Sequence, residues 1–319
     1  MKTSSNNSIF KTVMKNLTAL GTRQGAALKK AYSHISSVLT KNQIPFRTET
    51  YRTALPVWKK WSLKTEKGAI PCLPTGLTSG TITNAYALVS SLVSSRYFLD
   101  MPHVNVNPKS SIISRANFSF APSLAISRES LKALCNARNI RGELRVEKKM
   151  QDTRQILIGN TKNPKKILFS HFDSVGTGAA DNASGTALML QLISEDPQLL
   201  NNNLFVLDGN EELSYDYPVY WGRGYRNFEK KYARQISKAK RLIVVDCIGY
   251  APTEILSKGP IIKLAFPIQK INLLAKKIVL ITSDYDTLMG VYHSDDDTLS
   301  RIKKRFIDEA LEKLKMLLK

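Results

Sequence analysis

Ile167-Leu168-Phe169-Ser170-His171-Phe172-Asp173-Ser174-Val175-Gly176-Thr177-Gly178-Ala179-Ala180-Asp181-Asn182-Ala183-Ser184-Gly185 is the stretch that decides the fold. An apolar run ends on a histidine, a glycine-containing loop follows, and a helix-like segment opens at Asp181. This places one imidazole and two carboxylates at the C-terminal end of a buried strand. In open α/β sheets that edge is where ligands bind. Imidazole and carboxylate together are zinc ligand types, so the stretch reads as one wall of a metal site.

Other walls follow the same rule. The short apolar runs Leu204–Leu207, Leu242–Val245 and Ile278–Ile281 suit strands covered on both faces. The first runs into Asp208-Gly209-Asn210-Glu211-Glu212 and the second ends at Asp246. Beyond the third lies Tyr292-His293-Ser294-Asp295-Asp296-Asp297-Thr298. Taken singly, acids at strand ends are ordinary caps and turns. Their recurrence strand after strand, with two of the chain's 4 histidines, argues for a shared cleft. Like charges crowded there repel unless cations neutralise them, and two divalent metals would do so.

Around this core the chain reads as alternating helices and strands, hence an α/β layered fold with a mixed central sheet flanked by helices. Residues 1–10 are polar and read as frayed. Three-four spacing from Ala27 to Leu39 marks an amphipathic helix, as does the run from Leu299 to Leu317. Ile44–Tyr51 alternates as a strand, as do Glu143–Lys149 and Gln155–Ile158, while Arg128–Arg138 suits a helix capped by Ser127. Residues 68–122 change character, rich in Ser, Thr, Gly, Pro and Asn, and read as a small inserted subdomain. The division is therefore 1–67, 68–122 and 123–319, the outer two forming one domain. His103 reads as a loop residue inside the insert, and His34 as a structural histidine beside a helix stripe. No candidate ligand falls within 68–122, so the insert reads as dispensable for metal binding.

The 319 residues carry a formal net charge of +21, which permits anionic contacts. The basic residues are scattered and lack the interleaved aromatics of a nucleic-acid stacking platform, so no specific nucleic-acid partner is expected. No apolar run reaches the length of a membrane span. The start lacks the apolar core of a signal peptide, and Cys72, Cys135 and Cys247 form no disulfide framework. A cytoplasmic protein is the expectation.

The motifs resemble those of the two-zinc, co-catalytic aminopeptidases, a family related to glutamate carboxypeptidase and glutaminyl cyclase. His171-Phe172-Asp173-Ser174 looks like the family's H-x-D-S, and Gly178–Gly185 is similar to its G-x-x-D-N-A-S-G. Asn210-Glu211-Glu212, Val245-Asp246-Cys247-Ile248-Gly249 and His293-Ser294-Asp295-Asp296-Asp297-Thr298 match further family motifs, and Leu17–Arg23 looks like its opening. The insert sits where such enzymes carry a protease-associated subdomain. The resemblance implies two zinc ions, with His171 and Asp246 on one, Glu212 and His293 on the other, and Asp181 bridging. Cobalt and manganese suit the same ligands. It implies Glu211 as general base, Asp173 as the group that orients His171, and Asp297 in the same role toward His293. The implied reaction is removal of N-terminal residues from peptides. Two rivals remain: a carboxypeptidase or amidohydrolase, which an arginine such as Arg223 or Arg226 at the pocket would favour, and a catalytically impaired basic binding protein. Tyr215, Tyr217, Tyr220 and Trp221 read as packing or as an aromatic substrate wall.

Overall fold

The computed structural model describes residues 6–94, 100–217 and 219–319. The frayed start expected from the sequence falls partly on residues 1–5, outside the described residues; a helix, Asn6–Thr18, begins directly after them.

The apolar runs form the strands Lys166–His171, Asn203–Asp208, Arg241–Val245 and Ile278–Ser283. They lie side by side and parallel, in the order 203–208, 166–171, 241–245, 278–283. Strands that are apolar on both faces need cover on both faces. One face packs under the helices Asn6–Thr18, Gly25–Lys41, Gly185–Glu195 and Lys304–Leu318. The other is covered by Arg223–Lys231, Ala233–Lys238 and Pro260–Ala265. On that second face Phe169 meets Phe228, Phe266 and Tyr225 with ring centroids 5.2, 4.7 and 5.8 Å away.

Antiparallel strands extend the sheet at both edges: Thr253–Leu256 on one side, Ile140–Gly159 and Phe46–Thr65 on the other. The sheet is therefore mixed, with helices on both sides, as the sequence predicts. The two 20-residue strands pair along almost their whole length, with one irregularity between Trp58 and Lys60. Where the sequence reads two strands, 143–149 and 155–158, the ladder runs unbroken through the polar Lys148–Thr153 stretch, because each residue there has a partner on Phe46–Thr65. The helix expected over 128–138 contracts to Leu131–Cys135, with Ser127 Oγ accepting the Ser130 N–H at 3.3 Å just before it.

A second sheet of four strands, Cys72–Pro74, Ala87–Ser90, His103–Val106 and Ser123–Ile126, stands on the long hairpin through Leu63, Leu124, Ile126 and Leu144. It reaches beyond 122 to take in Ser123–Ile126, while Gly80–Ile82 leaves it to pair with the large sheet. His103 is not a loop residue. It opens a strand and is buried, with Nδ1 held 2.9 Å from the Met101 carbonyl. Burial lowers its pKa, because a charged imidazole would lose its hydration. Among the described residues no helix is long and apolar enough to cross a membrane.

Register fixes where the reactive groups fall. Asp208 lies opposite His171 on the neighbouring strand. Val244 lies opposite Phe169, so Asp246 comes level with His171 two residues on. The loops after these strands therefore share one sheet edge. Phe169→Ala should cost about 3–5 kcal/mol through the cavity left among three aromatic rings. Tyr217→Ala, at a side chain 70% exposed, should stay within about 0.5 kcal/mol. Urea unfolding of both variants checks this; equal losses would refute the packing described.

Candidate metal centre

The loop after Lys166–His171 is held from below by a single buried arginine. Arg23 donates from Nε to the Phe172 carbonyl at 2.7 Å, from Nη1 to Thr177 O at 2.7 Å and from Nη2 to Gly178 O at 2.9 Å. Burial lowers its pKa to about 10, against the pull of Asp173, Asp297, Glu212 and Asp181. Gly178 sits at φ +60, and a Cβ there would lie 2.4 Å from the Asp181 carbonyl oxygen. Asn182 then ties the turn to two strands. Its amide donates to Ser170 Oγ at 3.1 Å and Val245 O at 2.9 Å, and its oxygen accepts the Gly185 N–H at 3.0 Å. Gly185 has no room for a side chain, since a Cβ would lie 2.4 to 2.8 Å from Asn182, Ser170 and Val245. The family-like glycines and Asn182 are thus explained by close packing.

This scaffold brings His171, Asp173, Asp181, Glu211, Glu212, Asp246 and His293 to one place, with Asp297 behind them. His171 Nε2 lies 3.2 Å from Asp181 Oδ1 and 3.2 Å from Asp246 Oδ1. His293 Nε2 lies 3.1 Å from Asp181 Oδ2 and 2.8 Å from Glu212 Oε2. Asp181 thus turns one oxygen to each histidine, and the donors form two groups of three that share it. Glu211 belongs to neither group and lines the cavity beside them. Asp173 lies beneath. Its carboxylate accepts the backbone N–H groups of Glu211 and Glu212 at 3.1 and 3.0 Å. His171 Nδ1 is 3.2 Å from the Asp173 carbonyl and 3.4 Å from its Oδ1.

Asp297 differs from the role expected of it. It makes no contact with the His293 ring; instead it accepts the N–H groups of Ala180 and Asp181 at 2.7 and 3.0 Å, and so holds the backbone of the shared carboxylate. The partner of the His293 ring is the Arg115 carbonyl, 3.1 Å from Nδ1.

The tautomers follow from the acceptors. A carbonyl can only accept, so Nδ1 of each histidine carries the proton and Nε2 presents a lone pair. Both lone pairs face carboxylate oxygens at 2.8 to 3.2 Å. Two electron-rich atoms at that distance repel, so the arrangement calls for a proton on Nε2 or a bound cation between them. His293 Nε2 has no well-directed hydrogen bond although two carboxylates flank it, because it points between them. Donor separations near 3.2 Å also suit an ion, since ligands about 2.0 Å from a tetrahedral zinc stand about 3.3 Å apart. The donors therefore fit zinc.

The electrostatics agree. Burial would lower the pKa of His293, but Glu212 and Asp181 outweigh it and raise it to about 10. For His171, too, burial is outweighed, here by Asp173, Asp181 and Asp246, which hold its pKa well above the usual imidazole range. Protons on the imidazoles do what a bound ion would otherwise do. Burial pushes Glu212 up to about 7 and Glu211 well above the carboxylate range; His171 opposes the rise at Glu211, and the neighbouring Glu212 adds to it.

Tyr220 and Trp221 line the cavity, whereas Tyr217 is exposed and Tyr215 packs under Lys148. Arg223 and Arg226 do not face the site as free cations: both are paired with Asp216. Sequence reasoning missed the structural part played by Arg23; the only signal was its place in the family-like opening.

Fold and site together define a zinc-dependent peptidase. Residues 156–265 match the model of Peptidase family M28, a segment that holds His171, Asp181, Glu211, Glu212 and Asp246 and ends before His293. Among solved structures the chain is similar to a zinc aminopeptidase from Bacillus subtilis, at 14% identity and a TM-score of 0.65 over 97% of this chain and 93% of that one. It is similar to an aminopeptidase from Aneurinibacillus sp. strain AM-1, at 14% identity and a TM-score of 0.62 over 96% and 91%. It also resembles a Porphyromonas gingivalis glutaminyl cyclase, at 14% identity and a TM-score of 0.54 over 98% and 97%. No curated protein matches.

Arg23→Met would strip the carbonyls of Phe172, Thr177 and Gly178 of their buried donors. Unfolding free energy should fall by about 3 kcal/mol or more. A loss below about 1 kcal/mol in a urea titration would show that Arg23 does not hold the loop.

Proposed function

We propose that this chain is a metallo-aminopeptidase that removes N-terminal residues from peptides with a dinuclear zinc site. The observation that carries the reading is Asp181, whose two oxygens face two different histidines. His171 and Asp246 would hold one ion and Glu212 and His293 the other, with Asp181 offering an oxygen to each. When bound, the metal pair supplies a water of lowered pKa and an electrophilic pull on the scissile carbonyl. Cobalt or manganese can serve with the same donors.

The chain's own residues do the rest. Glu211, which lines the cavity outside both donor groups, takes the proton from the attacking water and returns it to the leaving nitrogen. Asp173 fixes the backbone of Glu211 and Glu212 and backs His171, so base and ligand are placed by one carboxylate. The cavity beside Glu211 runs between Trp221, Ile261, Leu264, Leu280, Leu288 and Met289. Such walls favour a substrate with an apolar first side chain.

Two observations support action at the amino end. The cleft gathers six carboxylates, Asp173, Asp181, Glu211, Glu212, Asp246 and Asp297, against two arginines, Arg23 and Arg115, an acidic setting that suits an ammonium. Arg223 and Arg226, which a carboxypeptidase could use for a substrate carboxylate, are already paired with Asp216. A reducing, cytoplasmic setting is supported by three free cysteines, Cys247 buried among them.

Peptides beginning with leucine and bearing a free amine should turn over, with N-acetylated versions at least ~100-fold slower, since the ammonium contact is lost. Equal rates on both would point to the amidohydrolase reading. Chelation should abolish turnover and added zinc or cobalt should restore it. Glu211→Gln should retain its metal and lose about 10²–10⁴-fold in kcat, the usual weight of a general base. Near-normal turnover in that variant would remove Glu211 from the role.

A further inference from the structure

The connection from His103–Val106 to Ser123–Ile126 runs through residues 107–122 with no helix or strand of its own. A structureless stretch of that length inside a packed domain generally has a function. Several of its polar side chains are nevertheless buried, Asn107, Ser110, Ser114 and Asn117 among them. Two of these, Asn107 and Ser114, reach the loop that carries His293.

Four hydrogen bonds cross there. Asn107 Nδ2 donates to Met289 O at 2.8 Å, and Ser114 Oγ donates to Tyr292 O at 2.6 Å. Arg115 N donates to His293 O at 2.9 Å, and the Arg115 carbonyl accepts from His293 Nδ1 at 3.1 Å. Asn107 Nδ2 also donates to Ser114 Oγ at 3.1 Å, which joins the two side-chain contacts into one clamp. Phe118 adds a ring contact 6.5 Å from the imidazole centroid. The clamped loop needs such support, because His293 itself sits at φ +51, a left-handed conformation that a non-glycine residue adopts at a cost.

We propose that the segment 107–118 is a positioning element of one metal half-site: it fixes the tautomer and the backbone of His293, so affinity for one of the two ions is set from the inserted sheet. The proposal rests on the reading of His293 as a ligand. It replaces the expectation that the insert can be shortened without consequence for metal, an expectation that followed from the absence of ligands in 68–122. Ligand orientation is commonly worth about 10–100-fold in metal affinity, and here the orienting acceptor is a backbone carbonyl that no motif marks. His171 has no such dependence, since its Nδ1 is held within its own loop by Asp173.

The test is the double variant Asn107→Ala, Ser114→Ala in the full chain, with zinc as the probe. Zinc per chain is measured by elemental analysis after dialysis against chelators of graded strength. Ser123→Ala is the control: it removes a buried bond inside the inserted sheet, to Thr75 Oγ1 at 2.9 Å, without touching segment 107–118 or the His293 loop. The double variant should release one zinc at a free-zinc level about 10–100-fold higher than wild type and hold the other unchanged. The control should hold both. Arg115→Pro, which loses the N–H to His293 O, should behave as the double variant. Unchanged retention of both ions in the double variant overturns the proposal. So does equal loss of both, or loss of one ion from the control, since either would mark general destabilisation. A wild-type chain that holds only one ion would instead overturn the two-metal reading, and this proposal with it.

Discussion

Two imidazole lone pairs aimed at carboxylate oxygens are the constraint on which the rest of this structure depends. Each histidine has its other nitrogen committed to a backbone carbonyl, Asp173 for His171 and Arg115 for His293. Neither ring can turn its N–H toward the acids without giving up that bond. The arrangement is unfavourable for neutral rings and favourable around cations. The raised pKa of both histidines expresses the same fact, because a proton is the smallest cation that relieves the repulsion.

The fold answers the question of how so many acids come to be buried together. Parallel strands deliver His171, Asp208 and Asp246 to one edge in register. Helices cover both faces of the sheet, and buried polar groups then hold the loops: Arg23 donates to carbonyls of 172–178, Asn182 ties two strands, and Asp173 and Asp297 accept backbone N–H groups. The candidate metal ligands are thus presented by loops tied to rigid elements, which is how a loop site gains precision. The inserted sheet joins this scheme through its 107–118 segment rather than through a ligand.

Much of this was legible in the sequence, for physical reasons. Short continuous apolar runs suit strands covered on both sides, and those at 167–169, 204–207 and 242–245 run into His171, Asp208 and Asp246, groups that could bind metal. That sufficed to name the mixed α/β fold and to gather His171, Asp181, Glu211, Glu212, Asp246 and His293. What stayed hidden was held by long-range contacts. Arg23 and Phe172 are 149 residues apart in sequence and Arg115 and His293 are 178 apart, and nothing local marks either pair. Asp297 could be placed near the site but not assigned its acceptor role, since that depends on where the backbone of Ala180 and Asp181 points. The Ile140–Gly159 strand was read as two pieces because its polar centre is exposed and pairs only across the hairpin.

The central claim is that Asp181 is shared between two ions. Anomalous diffraction at the zinc edge, on crystals of the zinc-loaded protein, tests it most directly. The account predicts two peaks roughly 3.5–4 Å apart, one on each side of the Asp181 carboxylate. A single peak, or peaks remote from Asp181, would contradict it.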